Sequence, residues 1–177
     1  MGLLSKFTPD VMRDNVYCYT PDVFKKLGVD RVVFDIDNTI APYEMHEPTE
    51  EVKAYFAALK EAGIEAMLVS NNGPERVERF NRELGLFAVP DAKKPSPTGI
   101  NKCLKQSKNK GGAVFVGDQI FTDGLAARRA GIKCFLVSPI QPKENLFFKL
   151  KRLGEKPFVC RYRRKTAKNG DLLETQD

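Results

Sequence analysis

The stretch VVFDIDNTIAP, residues 32–42, constrains the fold of this chain more than any other part of the sequence. β-Branched and aromatic side chains run without polar alternation into Asp35 and Asp37, which predicts a strand over Arg31–Asp35 that is buried on both faces. Two carboxylates this close at the end of a buried strand repel each other unless a cation or hydrogen-bond donors compensate. The stretch therefore predicts a buried strand that ends at a polar site.

Strands and helices alternate along the chain. The predicted strands are Arg31–Asp35, Ile64–Ser70, Phe87–Val89, Ala113–Gly117 and Lys133–Val137. The predicted helices are Pro21–Leu27, Pro48–Ala62, Pro74–Leu84, Pro97–Gln106 and Thr122–Ala130. Strands that alternate with helices at this pitch predict an α/β fold of three layers, with a mostly parallel, Rossmann-like central sheet and helices on both faces.

The 177 residues suit one domain, for which we expect a helical N-terminal lead-in (1–30), a catalytic core (31–140) and a basic C-terminal extension (141–177). Between Gln141 and Lys168 ten Lys or Arg residues stand against two Asp or Glu, a local charge of +8, so the remainder carries −2 of the overall +6. No run approaches the roughly 18 apolar residues of a membrane span, and the apolar start of MGLLSKFTPD is too short for a signal peptide. We therefore expect a cytoplasmic protein.

The four cysteines and the single histidine do not have the pattern of a zinc site. No two cysteines form a CxxC pair, and zinc sites need clustered Cys and His. We expect free thiols in a reducing compartment, with Cys134 in the core and His46 on the surface or on a flap.

Polar residues follow the carboxyl ends of three predicted strands. Asp35 and Asp37 end the first, Ser70 ends the second, and Asp118 follows GGAVFVG with Asp123 close behind. Because ligands bind beyond these strand ends in parallel α/β sheets, the side chains should converge on one rim. Carboxylates without His or Cys are hard oxygen ligands, which predicts Mg²⁺ at this rim.

Two further features predict that the rim binds an anion. Lys94 lies in DAKKPSPTG, a loop stiffened by prolines, and Ser70–Gly73 supplies a hydroxyl and backbone N–H groups near a helix start. A metal, a lysine and amide donors around one point are typical of phosphoryl transfer. Each motif alone has an ordinary structural interpretation: an Asx turn at DIDNT, a helix cap at Thr122 and Asp123, or a solvated lysine pair at Lys93 and its neighbour.

Four motifs of the chain resemble, in order, those of the haloacid dehalogenase (HAD) superfamily: DIDNT (Asp35–Thr39), the strand-end Ser70, Lys94 before Pro95, and GDQIFTD (Gly117–Asp123). The finer pattern of DxDNT, VSNN, KPSP and VGDQxxTDxxxAxxxG is similar to subfamily IIIA proteins of the YqeG type, which are related to mitochondrial phosphatidylglycerophosphate phosphatases. The resemblance covers roughly residues 32–137, and its first and fourth motifs are the specific ones.

The resemblance implies a Mg²⁺-dependent phosphatase that works through an aspartyl-phosphate. Asp35 would be the nucleophile, Asp37 the general acid and base, and Lys94 the charge that steadies Asp35 and the transferring group. Phosphate binding is implied for Thr39, Ser70, Asn71 and Lys94. Metal binding is implied for Asp35, the backbone carbonyl of Asp37, Asp118 and Asp123.

The spacing of the motifs leaves no room for a large cap domain. A flap (Ala41–Glu47) and one helix use nearly all of the 32 residues between Asp37 and Ser70, and the interval from Ser70 to Lys94 holds one helix and a short strand. In HAD enzymes a missing cap is associated with large substrates or with a partner subunit that acts as a lid. The sequence is therefore compatible with a monomer and with an oligomer.

The basic extension bears on the substrate. Glu144–Leu153 predicts an imperfect amphipathic helix, and five further cations follow: Arg161, Arg163, Arg164, Lys165 and Lys168. Such a stretch, here residues 143–168, is typical of an element that lies on an anionic membrane. A terminal helix packed on the sheet with a solvated basic tail, or a nucleic-acid site, explains the same residues.

We therefore expect a phosphatase that converts phosphatidylglycerophosphate, or a similar lipid phosphate, in phospholipid biosynthesis at the inner face of a membrane. A HAD phosphatase for a soluble phosphometabolite or a phosphoprotein is the alternative enzyme. An RNA- or ribosome-associated module on a HAD scaffold is the alternative binding protein.

Overall fold

The computed structural model describes residues 7–141, 146–170 and 172–173, and it describes their side chains except at 146–152 and 169. Within these ranges the strands are β1 (Val11–Arg13), β2 (Val29–Phe34), β3 (Glu65–Val69), β4 (Phe87–Val89), β5 (Gly112–Gly117) and β6 (Lys133–Val137). They form one sheet in the order β1-β6-β5-β2-β3-β4, and every neighbouring pair is parallel. The predicted α/β class and parallel sheet are confirmed.

The helices in the described part of the chain are α1 (Pro21–Lys26), α2 (Glu50–Glu61), α3 (Pro74–Asn81), α4 (Thr98–Gln106), α5 (Leu125–Arg129) and α6 (Leu146–Asn169). A 3₁₀ turn covers Val16–Cys18 and a π-helical turn covers Ile120–Gly124. Side-chain caps start two of the helices, because Thr20 accepts from Val23 N and Thr49 accepts from Val52 N.

Two hydrophobic cores cover the two faces of the sheet. Successive residues of β2 point to opposite faces, so Phe34 packs with the α1 and α2 side while Val33 packs with the α4 and α5 side. The first core is rich in aromatic side chains, among them Tyr55 and Phe56 of α2. β2 lies between β5 and β3 and its second half is fully buried, as the run without polar alternation predicted.

The strand order places the end of β2 at a switch point of the sheet. The chain leaves β2 through α2 toward β3 on one side, whereas β5 lies on the other side. Crevices form at such points beyond the carboxyl ends of parallel strands. The residues that follow β2, β3, β4 and β5 therefore face one crevice.

Several predicted boundaries differ from the structure, for example the helix predicted over Pro74–Leu84 ends at Asn81, and two differences concern the kind of element. The stretch 1–30 contains the edge strand β1, which Asp10 holds in place, because Asp10 N donates to Cys134 O and Asp10 Oδ2 accepts from Cys134 N. The helix predicted over Thr122–Ala130 begins as the π-helical turn and becomes α-helical only at Leu125. The cause of the second difference lies in Asp123, described below.

No cap domain interrupts residues 37–94, as the spacing of the motifs predicted. Every residue from 37 to 94 is described, and this interval contains α2, β3, α3 and β4 with the connecting loops. His46 is exposed on the flap and Cys134 is buried in the core, as expected. Among the described residues, no helix has both the length and the apolar composition needed to cross a bilayer.

In the described part of the C-terminal extension, α6 is a long helix that docks on the body. The predicted helix over Glu144–Leu153 begins outside the described residues, and α6 continues well past its predicted end to Asn169. The Phe158 ring lies 5.1 Å from that of Phe7, and Tyr162 Oη accepts from Met12 N at 3.0 Å. The prediction of a terminal helix packed on the body is therefore confirmed for residues 155–162. The cations beyond Cys160 are exposed on this helix.

Candidate active site

A tight turn carries the two aspartates of DIDNT out of β2. Asp35 N donates to Val116 O at 2.9 Å, which continues the pairing with β5 up to Asp35, the predicted nucleophile. Asn38 adopts φ 62°, a left-handed conformation that Asn tolerates better than most residues, and its N–H donates to Ala41 O at 2.7 Å. The turn places the buried Asp35 and the more open Asp37 on different sides of the crevice.

Lys94 is the buried cation at the centre of the site. Its Nζ lies 2.6 Å from Asp35 Oδ1 and 2.8 Å from Asp123 Oδ1. The preceding Lys93 is exposed, so the structure decides which lysine of the pair reaches inward. Two ion pairs to carboxylates from different loops fix the ammonium beside the predicted nucleophile.

Three carboxylates converge at the end of β2 and β5. One oxygen from each of Asp35, Asp118 and Asp123 lies within 4.8 Å of the others, and all three residues are buried. Asp123 Oδ2 accepts from Asp118 N at 3.1 Å and from Gln119 N at 3.0 Å. These bonds hold the Asp118 loop and draw the chain at Asp123 into the π-helical turn.

Gly117 is required for this close approach. A Cβ at position 117 would lie 2.6 Å from Cβ, Cγ and Oδ2 of Asp123, closer than real side-chain contacts. Glycine at the last residue of β5 therefore lets the Asp123 carboxylate reach the strand end.

The electrostatics of the cluster favour a bound cation. Burial raises the pKa of Asp35 well above its ordinary value, Lys94 opposes the rise, and Asp123 and Asp118 add to it. Burial lowers the pKa of Lys94, but Asp123 and Asp35 outweigh it and the pKa is raised overall. Lys94 is thus a cation, and with the three carboxylates ionised the cluster carries a net charge of −2.

The residues present fit Mg²⁺ and a phosphate group. The donor set consists of carboxylate oxygens, which Mg²⁺ prefers, and a divalent cation balances the net charge of the cluster. Thr39 Oγ1 is buried with no hydrogen-bond partner among the described residues, and a phosphate oxygen would satisfy it.

Asp37 lies in a separate network of donors. Its Oδ2 accepts from Ser70 Oγ at 3.2 Å and from Asn72 Nδ2 at 2.6 Å, and its Oδ1 accepts from Arg76 Nη2 at 3.2 Å. The Asp37 side chain is therefore not among the three clustered carboxylates, and a metal contact through its backbone carbonyl stays a prediction.

Ser70 and Asn71, which follow β3, make different contacts in the site. Ser70 is fully buried and its hydroxyl donates to Asp37 and accepts from Asn72 N at 3.0 Å. Asn71 is predicted to bind phosphate, and its side chain contacts the main chain of Lys94 through both its oxygen and its nitrogen. Its backbone N–H remains the group that the prediction would use.

Sequence reasoning missed Arg76 and the Asn72 side chain. A signal for Arg76 was present, because Arg in the first turn of a helix opposes the positive end of the helix dipole. A cation in that position next to a site rich in carboxylates indicates a specific anionic partner.

This fold and this site define a hydrolase of the HAD class. A family model for haloacid dehalogenase-like hydrolases matches residues 23–131, and the chain belongs to that family. It is 30% identical over 160 residues to the Bacillus subtilis (strain 168) protein named Probable phosphatase YqeG, an alignment that covers 90% of this chain and 93% of that protein. The resemblance to the YqeG type is confirmed.

Solved structures are more distant. GPDH of Dunaliella salina overlaps 67% of this chain and 26% of its own, with 19% identity and a TM-score of 0.48. A second structure is a protein of Lactobacillus delbrueckii subsp. bulgaricus that is described as a phosphoglycolate phosphatase by name only. It overlaps 63% of this chain and 54% of its own, with 21% identity and a TM-score of 0.44. At these TM-scores neither overlap carries an inference about function.

Proposed function

We propose that this protein is a Mg²⁺-dependent phosphatase that removes the terminal phosphate of phosphatidylglycerophosphate, or of a lipid phosphate like it, through an aspartyl-phosphate on Asp35. One observation carries the proposal: Lys94 Nζ lies within 2.8 Å of both Asp35 and Asp123, beside a group of three buried carboxylates. A carboxylate nucleophile, a fixed cation and hard oxygen ligands in contact with one another suit phosphoryl transfer.

In the first step, a carboxylate oxygen of Asp35 would bond to phosphorus while the bond from phosphorus to the leaving oxygen breaks. Asp37 would give its proton to that oxygen, so the alcohol leaves neutral. In the second step, water would attack the aspartyl-phosphate and pass a proton back to Asp37, which releases phosphate and restores Asp35. Acid and base help of this kind contributes about 10²–10⁴ in rate.

The neighbouring residues would prepare these steps. Bound by Asp35, Asp118 and Asp123, Mg²⁺ would offset the charge of the phosphate oxygens and favour ionised Asp35. Lys94 would hold the nucleophile in place and neutralise part of the transferring charge. The buried hydroxyl of Thr39 would donate to a phosphate oxygen.

Two features support a lipid rather than a small metabolite. Residues 37–94 form no cap over the crevice, so a large substrate has access. Two exposed apolar side chains lie near the rim: Tyr43 on the flap is 45% exposed, and Ile140, whose N–H donates to Asn38 O, is 44% exposed. Apolar groups in these positions suit contact with acyl chains or with a membrane surface.

The exposed cations of α6 support attachment to an anionic membrane at the cytoplasmic side. We call them the α6 basic patch: Arg161, Arg163, Arg164, Lys165 and Lys168. Tyr162 anchors the same stretch to Met12, so the patch is presented by a docked helix. Each cation near an anionic bilayer contributes about 1 kcal/mol to binding.

The activity is tested with the purified full-length chain. We expect Mg²⁺-dependent phosphate release from phosphatidylglycerophosphate in mixed micelles, none after chelation of Mg²⁺, and none from Asp35→Asn. Glycerol 3-phosphate and a panel of soluble sugar and nucleotide phosphates serve as competitors. Equal or faster turnover of a soluble phosphate overturns the lipid assignment, and no release from any ester overturns the phosphatase.

Membrane attachment is tested by sedimentation with phosphatidylglycerol and phosphatidylcholine vesicles. We expect binding to the anionic vesicles, lost when the α6 basic patch is changed to Gln. A matched control changes five exposed lysines elsewhere: Lys25, Lys60, Lys102, Lys105 and Lys133. Equal loss in this control would mean a general charge effect, and binding to RNA without binding to vesicles would contradict the membrane assignment.

A further inference from the structure

Arg76 lies on the side of the site where the leaving group would depart. Its Nη2 lies 3.2 Å from Asp37 Oδ1, and its side chain is 11% exposed. Asp37 is the residue that would protonate the leaving oxygen, whereas Lys94 contacts the nucleophile Asp35. The guanidinium also lies over the Phe80 ring, with its carbon 5.3 Å from the ring centroid, which fixes its plane.

This guanidinium has two hydrogen-bond donors in reserve. Arg76 Nε and Nη1 are buried and have no hydrogen-bond partner among the described residues. Buried polar groups in folded proteins are nearly always satisfied, and charged donors most of all. A ligand with several acceptor oxygens, such as a phosphate or a phosphodiester, would satisfy them.

Asp37 is held here only as an acceptor. Oδ2 accepts from Ser70 and Asn72, while Oδ1 accepts from Arg76. Arg76 can therefore leave Oδ1 while both donors on Oδ2 stay in place and hold the Asp37 carboxylate.

Resting on the proposed function, we propose that Arg76 binds a second anionic group on the leaving alcohol of the substrate. The substrate class is a phosphomonoester whose alcohol also carries a phosphodiester or a second phosphate. On binding, Arg76 exchanges Asp37 Oδ1 for the oxygens of that group. Arg76 thereby selects the substrate by its second anionic group.

The test uses two water-soluble esters that differ in the second anion. Glycerol 3-phosphate has one phosphate, and the deacylated form of phosphatidylglycerophosphate adds a phosphodiester to the same glycerol phosphate. We expect Arg76→Gln to lower kcat/KM for the deacylated ester about 10–100-fold, the effect of a lost charge-assisted hydrogen bond. The fall on glycerol 3-phosphate should be smaller, because this ester lacks the second anion, and Arg76→Lys is intermediate on the deacylated ester.

Arg79→Gln is the matched control on the same helix. Arg79 is exposed and its Nε lies 3.8 Å from Glu47 Oε1, so its loss should leave both esters unaffected. An equal fall on both esters in Arg76→Gln would show a structural role and overturn the inference. Equal kcat/KM of the wild-type protein for the two esters would also overturn the inference.

Binding separates this inference from the proposed function. In Asp35→Asn protein, calorimetry should show tighter binding of the deacylated ester, and Arg76→Gln in that background should remove the preference. If wild type hydrolyses neither ester but this binding preference holds, the proposed reaction is wrong and the Arg76 subsite stands. Equal affinity for the two esters overturns the Arg76 subsite whatever the turnover.

Discussion

Asn71 binds the main chain of Lys94 on both sides of its carboxamide: Asn71 Nδ2 donates to Lys94 O at 3.1 Å, and Lys94 N donates to Asn71 Oδ1 at 2.7 Å. Asn71 follows β3 and Lys94 follows β4, two neighbouring strands. The pair of bonds therefore joins two loops beyond the sheet and fixes the main chain of Lys94, from which the side chain extends to Asp35 and Asp123.

Asn71→Ala should lower kcat/KM about ten-fold or more, because the Lys94 loop loses two hydrogen bonds that each contribute about 1 kcal/mol. Asn101→Ala, at an exposed position of α4, is the control and should be active. Steady-state kinetics on the preferred ester measures the effect. Full activity of Asn71→Ala would show that the ion pairs alone position Lys94.

Lys94→Met should abolish turnover, with kcat/KM lower by about 10³ or more, because Asp35 and Asp123 lose their shared cation. The metal-free protein should also lose about 3–5 kcal/mol of unfolding free energy, the cost of uncompensated buried charge. The adjacent Lys93→Met is the matched control, exposed and expected to change stability by less than about 0.5 kcal/mol. Urea unfolding and kinetics distinguish the two, and similar behaviour of both variants would contradict the buried position of Lys94.

Gly117→Ala should weaken Mg²⁺ binding and turnover, because its Cβ would lie 2.6 Å from the Asp123 side chain and push it away from the strand end. Gly124→Ala is the control, since its Cβ meets nothing closer than 3.9 Å. The Mg²⁺ concentration for half-maximal rate measures the change. An unchanged value in Gly117→Ala would mean that Asp123 is not needed near the metal.

Asp35→Asn should stabilise the metal-free protein, and more so as the pH rises. The pKa of folded Asp35 is raised above its ordinary value of 3.8, so the folded state binds the proton more tightly than the unfolded state. Stability from this group is therefore lost as the pH rises from about 4 through the raised pKa. Near neutral pH the variant should therefore melt at a higher temperature than wild type in EDTA.

Saturating Mg²⁺ provides the check on this interpretation. Because the metal would stabilise ionised Asp35, it should raise the melting temperature of wild type more than that of Asp35→Asn. A wild type that is more stable than the variant in EDTA at neutral pH would show that burial does not dominate at Asp35.

The strand-end rule explains why much of the site was predictable. Asp35, Ser70 and Asp118 each come directly after a strand whose apolar run is legible, and parallel strands bring such residues to one edge. Lys94 does not follow a strand directly, and its neighbour Lys93 is also a lysine. Only the conformation of the loop determines that Lys94 is buried and Lys93 exposed. Here the resemblance to a family supplied what periodicity does not contain.

The missed features depend on specific hydrogen bonds that the hydrophobic pattern does not show. β1 has three residues flanked by Asp10 and Asp14, and its pairing comes from hydrogen bonds to Cys134 far along the chain. The π-helical turn arises because the Asp123 carboxylate binds N–H groups of Asp118 and Gln119 instead of capping the next helix. No local propensity encodes such long-range or backward contacts.

The central claim is that Asp35 is the nucleophile, and a trapping experiment tests it most directly. Wild-type protein is mixed with Mg²⁺ and the preferred ester, quenched in acid during turnover, reduced with borohydride and digested for peptide mass analysis. We expect the reduced aspartyl-phosphate product at residue 35, absent without Mg²⁺ and absent from Asp35→Asn. A reduced product at another residue, or turnover with no reduced product at Asp35 at any quench time, would contradict the account.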